Sequence, residues 1–482
     1  MLYCYNYNSD LCGFIQMRGE LKVLKKTNNH TEEEKAVIDY MNNVYKKLKQ
    51  RDPHEKEFLQ AVKILLESLV PIFVKERTYI EHNVLERILE PERVITFRVP
   101  WVDDHGKVHV NRGYRVQFNS AIGPYKGGIR FHPTVNLSVM KFLALTQIFK
   151  NALTGQPIGG GKGGADFDPK GKSDYEIMRF CQSYMTELYR HIGPDTDVPA
   201  GDIGVGRREV GYMFGQYKRL RGTYEAGVLT GKGIHYGGSL GRTEATGYGT
   251  IYFVEQMLKA KRQNLRNMTM ITSGSGNVAI YAMEKAIKLG ARVVACSDSG
   301  GYVYDRNGLS LQTIKRIKLE DNARMSEYVK YHPEAEYFDD CSQIWSVPCD
   351  IAIPCATQNE IDENSAKTLI QNGVSVVAEG ANMPCSIEAI ELFIENDVMF
   401  GPAQAVNAGG VACSALEMAQ NSARLQWTAE EVDEKLQEIM KSIYKNCSRA
   451  ARHYNHSGNL VVGSNIAGFV KVADTMIEHG VI

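Results

Sequence analysis

The chain has 482 residues, 43% hydrophobic and 23% charged, which is ordinary globular usage and excludes a disordered or fibrous protein. Its 56 basic and 56 acidic side chains cancel, so the bulk charge is not built for a nucleic-acid backbone or an anionic membrane. The length exceeds the reach of one hydrophobic core, and two domains with small-molecule ligands are expected.

Residues 1–30 lack the cationic start and apolar block of a secretory signal and read as an N-terminal extension, with an organelle address left open. Helix follows from Thr31, which with Glu34 has the spacing of a capping box. A second helix is expected to open at Asp52 and Pro53, with Phe58, Ala61, Val62, Leu65 and Leu69 on its buried face. "RVITFRVPW" and "YRVQFNS" then read as strands, so residues 31–235 are expected to set helices against a sheet.

Three lysines follow within 37 residues: Lys126 in "GPYKGGIRFHP", Lys150 in "TQIFKNAL" and Lys162 in "GGGKGG". Two fixed cations suit a substrate with two carboxylates, since an unpaired carboxylate is costly to bury. The third, beside two cations and out of water, should have a lowered pKa and serve as a base, the glycines letting a loop close around it. A phosphate loop does not fit, because Gln156 and Gly163 stand where it needs a glycine and a hydroxyl. The alternative is a surface loop from which Lys162 snorkels. Downstream, "DVPAGDIGVG" puts Asp202 in a second glycine-rich loop, where dry surroundings should raise its pKa and let it pass a proton. Its alternative role is as cap to the helix at "RREVGYMFGQYKRL".

"GKGIHYGGSLGR", residues 231–242, reads as a hinge with a domain boundary. Beyond it, short apolar strands alternate with helices, the pattern of a parallel sheet covered on both faces. Gly274, Ser275, Gly276, Asn277, Val278 and Ala279 form a G-x-G-x-x-A between a strand and a helix. A second strand ends at Asp298, 22 residues after Gly276, which completes the context of a dinucleotide fingerprint. Asp298 favours NAD. Ser297 and Ser299, with Lys315, Arg316 and Lys318, could favour a 2′-phosphate. The ten cysteines form no CxxC pair and fit no zinc spacing, so reduced thiols, a cytoplasmic setting and no metal are expected. No run of eighteen or so apolar residues is apparent, and no membrane span is expected.

Long segments carry a resemblance: "GPYKGGIRFHP", "PIGGGKGGADFDPKGKSD", "DTDVPAGDIGVG", "EATGYG", "CATQNE", "AEGANMP", "NAGGVACSALEMAQNS" and "NIAGFVKVADTMIE". From about Pro53 to Ile482 the chain resembles the small hexameric class of glutamate dehydrogenases. The resemblance implies an α/β fold in two domains with an active-site cleft between them. A substrate and oligomerisation domain would span 31–235 and a Rossmann-like dinucleotide domain 236–425, with C-terminal helices over 426–482 returning to the first. It implies reversible oxidation of glutamate to 2-oxoglutarate and ammonium by a homohexamer. Lys126 would take the side-chain carboxylate and Lys150 the α-carboxylate, with Gln147, Gly201, Arg242 and Ser414 also at the substrate. Lys162 and Asp202 would be catalytic. Thr246, Ala356, Thr357, Asn382 and Asn407 would join the fingerprint residues at the coenzyme. "SDSGG", "CATQNE" and "AEGANMP" resemble the NADP-using members, so NADP is expected with NAD the alternative. An apolar amino acid as substrate, or a non-catalytic nucleotide-binding relative, fits Lys126, Lys162 and Asp202 less well.

Overall fold

The computed structural model describes residues 31–481, so the expected N-terminal extension lies outside the described residues. Helix α1 (Glu32–Arg51) starts on the Thr31–Glu34 capping box, with both reciprocal hydrogen bonds formed. Helix α2 (Lys56–Lys75) begins later than Asp52 and Pro53 suggest. Asp52 instead caps the end of α1 and pairs with Arg51, which leaves Pro53 in the turn. Phe58, Val62, Leu65 and Leu69 are buried along α2 as the spacing requires.

The first sheet contains β1 (Arg93–Val102), β2 (Val108–Asn119) and β3 (Tyr125–Phe131). Helix α3 (Leu137–Leu153), β4 (Gly160–Ala165), α4 (Asp174–Leu188), β5 (Asp197–Gly201) and α5 (Arg207–Arg221) follow. The strand order is β1-β2-β4-β3-β5. β3, β4 and β5 run parallel, while β1–β2 and β2–β4 are antiparallel. Of the two glycine-rich segments expected to be loops, the first is a strand, Gly160–Ala165 being β4, while in the second only Asp197–Gly201 is a strand, β5, and Asp202 stands in the loop after it. Glycine supplies no alternating side chains, so the strand period is invisible in β4. It is needed for close approach: a Cβ on Gly127 would lie 1.7 Å from the Gly161 carbonyl oxygen on the neighbouring strand.

The second half opens with α6 (Ala245–Ala260), β6 (Thr269–Thr272), α7 (Asn277–Lys288), β7 (Arg292–Asp298) and β8 (Gly301–Tyr304). After β9 (Glu336–Phe338) come β10 (Ile351–Ile353), α8 (Glu363–Gln371), β11 (Val376–Ala378), α9 (Ile387–Glu395) and β12 (Met399–Gly401). The order β12-β11-β10-β6-β7-β8-β9 is parallel from β12 to β7, with β8 and β9 added antiparallel at the edge. This is a doubly wound sheet with the fingerprint turn after β6, the place where such sheets bind dinucleotides.

Helices α10 (Gly409–Ala423), α11 (Ala429–His453) and α12 (Leu460–Glu478) close the chain. α11 puts Val432, Leu436, Met440 and Ile443 into the core beneath the second sheet. α12 puts Ile466, Phe469, Val472 and Ala473 into the core of α1, α2 and α3. α12 is also apolar and long enough to cross a membrane, a feature not apparent as an unbroken apolar run because Ser464, Asn465, Lys471 and Asp474 interrupt it. Half of it is buried inside the fold, as in a core helix of a globular domain.

Candidate functional site

The three parallel strands of the first sheet set the site. Lys126 lies near the start of β3 and Lys162 within β4, and Asp202 directly follows β5. Lys126, Gly128 and Arg130 share one face of β3 because strand side chains alternate. Gly128 leaves room for the neighbouring pair: a Cβ there would come within 2.7 Å of Asp202 Cβ and 3.4 Å of Lys162 Nζ.

Lys162 Nζ lies 2.9 Å from Asp202 Oδ2, and Arg130 Nε donates to the same oxygen at 2.9 Å. Lys162 is only 5% exposed, so it does not snorkel from a surface loop. Asp202 does not cap α5 either, since Gly206 holds that position with Glu209 returning to its N–H. Burial lowers the Lys162 pKa, Asp202 opposes the fall, and Arg130 and Arg115 add to it. Asp202 corrects an expectation. Burial does push its pKa up, but Lys162 and Arg130 outweigh burial and bring it down to about 2. Dry surroundings alone are a poor guide when two cations share them.

Lys126 Nζ donates to Val198 O at 3.0 Å and to Thr230 Oγ1 at 2.8 Å, leaving one ammonium hydrogen uncommitted. Burial brings its pKa down to about 7. Lys150 reaches Asn407 Oδ1 across the cleft, and burial brings it down to about 8 with Lys162 adding to the fall. The lowered pKa expected of one lysine thus belongs to all three. Asn407 in turn donates to Ala381 O and Asn382 Oδ1, both at 3.0 Å, which joins the two asparagines expected at the coenzyme to Lys150. Gln147 lies one turn before Asn151 and donates to it at 2.7 Å, with its Cγ close to Gly127. Gly201 closes β5, where a Cβ would meet Val205 O at 2.5 Å. Arg242 Nε donates to Ser414 Oγ at 3.2 Å, and Thr246 Oγ1 and the Arg242 guanidinium both lie against Gly410 of α10.

On the second sheet, Gly274 has φ +77°, a conformation that disfavours any side chain, and a Cβ there would press on Ala356 at 3.2 Å. Gly276 caps α7 without a side-chain hydrogen bond and has nothing within 4 Å of where a Cβ would stand. Ser275, Asn277 and Val278 complete this turn, with Gly276 and Asn277 exposed at the start of α7, where a helix N-terminus favours an anion. Ala356 and Thr357 donate their N–H groups to Glu360 Oε1 at 3.1 and 3.3 Å, which fixes the loop opposite. These residues fit a dinucleotide.

Ser297 is 3% exposed and its hydroxyl accepts from the Gly274 N–H at 2.9 Å, so it supports the turn from within. Asp298 accepts from the N–H groups of Gly300 and Met325, each at 2.9 Å, and from Lys318 Nζ at 3.2 Å. Burial raises its pKa, and these donors together hold it below the ordinary value. Lys315 is held by Glu284, and Arg316 lies 3.7 Å from Asp321. Arg324, also exposed at this edge, donates to Ser299 Oγ beside Asp298. Sequence reasoning missed Arg130, Thr230 and Arg324. Arg130 was accessible through its i, i+4 strand relation to Lys126, whereas Arg324 and Thr230 have no pattern that marks them.

Among the described residues no group of three or more His, Cys, Asp or Glu side chains is arranged to hold a metal ion.

The chain matches two family models. Residues 91–219 match "Glu/Leu/Phe/Val dehydrogenase, dimerisation domain" and residues 237–480 match "Glutamate/Leucine/Phenylalanine/Valine dehydrogenase". It is 56% identical to an NADP-specific glutamate dehydrogenase of Giardia intestinalis over 440 residues, 90% of this chain and 97% of that one. It is 54% identical to an NAD-specific glutamate dehydrogenase of Porphyromonas gingivalis over 438 residues, 90% and 98% of the two chains. The crystal structure of Plasmodium falciparum glutamate dehydrogenase superposes with a TM-score of 0.91 at 51% identity, covering 95% of this chain and all of that one. With both halves matched and these relatives spanning nearly its whole length, the chain belongs to the glutamate/leucine/phenylalanine/valine dehydrogenase family.

Proposed function

We propose that the protein catalyses the reversible oxidative deamination of L-glutamate: glutamate, NADP⁺ and water give 2-oxoglutarate, ammonium, NADPH and a proton. The observation that carries this reading is the convergence of Lys126, Lys150 and Lys162 at one cleft. The first two have no carboxylate partner within ion-pair distance among the described residues, while the third has Asp202. Two free cations match two carboxylates, and the third lysine is left for chemistry.

Lys126 binds the side-chain carboxylate with Ser414 and Arg242 near it. Lys150 holds the α-carboxylate, and Gln147 and Gly201 line the same wall. The nicotinamide coenzyme, when bound, supplies hydride acceptance and donation. Lys162 in its neutral form takes a proton from the water that adds at Cα. That neutral form no longer lowers the pKa of Asp202, so the pair shares one proton and Asp202 can pass it toward nitrogen. With Lys162 charged, the lysine and Arg130 hold the Asp202 pKa well below the ordinary carboxylate value, so Asp202 stays an anion at neutral pH. Proton transfer through Asp202 is therefore coupled to the state of Lys162.

Gly274, Ser275, Gly276 and Val278 hold the pyrophosphate, Thr246, Asn277, Asn382 and Asn407 the nicotinamide end, and Ala356 and Thr357 the facing loop. Asp298 faces its own donors, and exposed Arg324 beside Ser299 supports NADP over NAD. The Porphyromonas gingivalis relative keeps NAD as the second reading. Division of the chain within the segment between the two family matches supports cleft closure about that hinge. The β1 edge strand exposes Val94, and the adjoining β2 exposes Val108 and Val110, a surface that supports self-association into a hexamer. The eight described cysteines are free thiols, which supports a reducing, cytoplasmic setting. Initial rates of 2-oxoglutarate amination with NADPH against NADH test the reading. Absent amination overturns it, and faster turnover with NADH overturns the coenzyme choice. Light scattering tests the hexamer.

A further inference from the structure

An ion pair with no role in the reaction above joins the segment after α5 to helix α10. The side chains of Lys232 and Glu417 are wholly buried, and Lys232 Nζ donates to Glu417 Oε1 at 2.7 Å. Glu417 also accepts from the Gly231 N–H at 2.9 Å and the Lys232 N–H at 3.4 Å. Lys232 Nζ completes its set on Leu229 O and on Asn421 Oδ1 at 2.8 Å. A buried pair of this kind adds little stability over apolar residues of equal volume, so its placement asks for another explanation.

Its neighbours supply one. Thr230, wholly buried, stands between Leu229 and Gly231, and its hydroxyl accepts from Lys126 Nζ at 2.8 Å. The Thr230 N–H is anchored on Pro199 O at 3.0 Å. Ser414, which accepts from Arg242, lies one turn before Glu417 on the same helix, α10. Glu417 thus ties the segment that holds Lys126 to the helix that carries Ser414.

The geometry points to Glu417 as a positioning residue for the side-chain end of the substrate pocket: through Gly231 and Lys232 it fixes Thr230, and so the Lys126 ammonium, relative to Ser414 and Arg242. This rests on the dicarboxylate reading of Lys126. Glu417 has an electrostatic part as well. The charged groups around Lys126 are Arg115 and Asp197, which form a buried pair, Arg242, and the Lys232–Glu417 pair. Burial lowers the Lys126 pKa, and Glu417 is the strongest of the influences opposing that fall. A lysine binds a carboxylate below its pKa and loses that ability above it. Removing the Glu417 charge therefore moves the loss to lower pH.

The test is initial-rate kinetics of glutamate oxidation by the full-length enzyme from pH 6 to pH 9, with Glu417→Gln and Glu417→Asp. Glu417→Gln should raise KM for glutamate about tenfold or more at pH 8 while KM for NADP⁺ stays within about twofold. The pH at which KM for glutamate begins to climb should fall by about one unit. Glu417→Asp keeps the charge, so it should raise KM for glutamate without moving that pH. An unchanged glutamate KM and pH profile in Glu417→Gln overturns the inference, as does an equal rise in both KM values. If Glu417→Gln does not fold, Glu417→Asp decides: a KM for glutamate equal to that of the wild type overturns it. Absence of glutamate oxidation by the wild type overturns the dicarboxylate reading instead, and the two failures are distinct.

Discussion

Lys318 Nζ lies 3.2 Å from Asp298 Oδ2, so the lysine that argues for a phosphate and the carboxylate that argues against one are a single ion pair. Both are consumed: Asp298 also takes two backbone N–H groups, and Lys318 donates to Ala323 O at 2.8 Å. Discrimination at the ribose then falls to the exposed Arg324 beside Ser299. Arg324→Ala should raise KM for NADPH about tenfold more than KM for NADH, the scale of one lost charge-assisted contact to phosphate. Ser297→Ala should affect both coenzymes alike, because its hydroxyl supports the Gly274 turn that either would meet. Paired initial-rate series with the two coenzymes read both outcomes. Equal effects of Arg324→Ala on both would remove it from the phosphate site.

Lys162→Ala should cut kcat by a factor on the order of 10³ or more, since a buried base and its charge are removed together. Asp202→Asn should also lower kcat with little change in coenzyme affinity. It removes the largest influence opposing the fall of the Lys162 pKa, so the acidic limb of the kcat profile should shift to lower pH. A profile with an unmoved acidic limb would uncouple the pair.

How much of this was legible in the sequence depends on the range of each interaction. Lys126, Lys150, Lys162 and Asp202 stood out because few other charges interrupt their glycine-rich or apolar surroundings, and the fold brings all four to one cleft. The strand that carries Lys162 was not legible as a strand, since Gly160, Gly161, Gly163 and Gly164 give β4 no alternation to detect. The second sheet was readable because its strands are continuous apolar runs. The state of Asp202 was not, because Arg130 reaches it from another strand, 72 residues earlier in the chain. The same holds for Asp298, whose donors Lys318 and Met325 arrive through a fold no local pattern describes.

Lys126→Leu should weaken glutamate far more than an apolar amino acid, because only the dicarboxylate loses a charged partner. The ratio of kcat/KM for glutamate to that for norvaline should fall by at least about 10²-fold, the cost of leaving one buried carboxylate unpaired. An unchanged ratio would take Lys126 out of the side-chain pocket.

The buried lysines also fix how stability depends on pH. Lys126 is held at about 7 and Lys150 at about 8, both below the ordinary lysine value of 10.5. Between these values and 10.5 each of the two lysines binds more protons in the unfolded chain than in the folded one, so their contribution to stability rises with pH through that window. Tyrosines held high, such as Tyr40 and Tyr125 at about 12, act in the opposite direction only above about pH 10. Buried cysteines held high, such as Cys296 and Cys355 at about 12, oppose the lysines from about pH 8 upward, so the lysine contribution is read between pH 7.5 and about 9.5 as a difference between two proteins that share those cysteines and tyrosines. Each lysine contributes a slope of up to about 1.4 kcal/mol per pH unit. Lys126→Met removes one of them. Its stability relative to the wild type should be greatest near pH 7.5 and should decline as pH rises, measured by denaturant unfolding of substrate-free enzyme. A difference that is flat across this interval would mean that Lys126 keeps its proton in the folded chain.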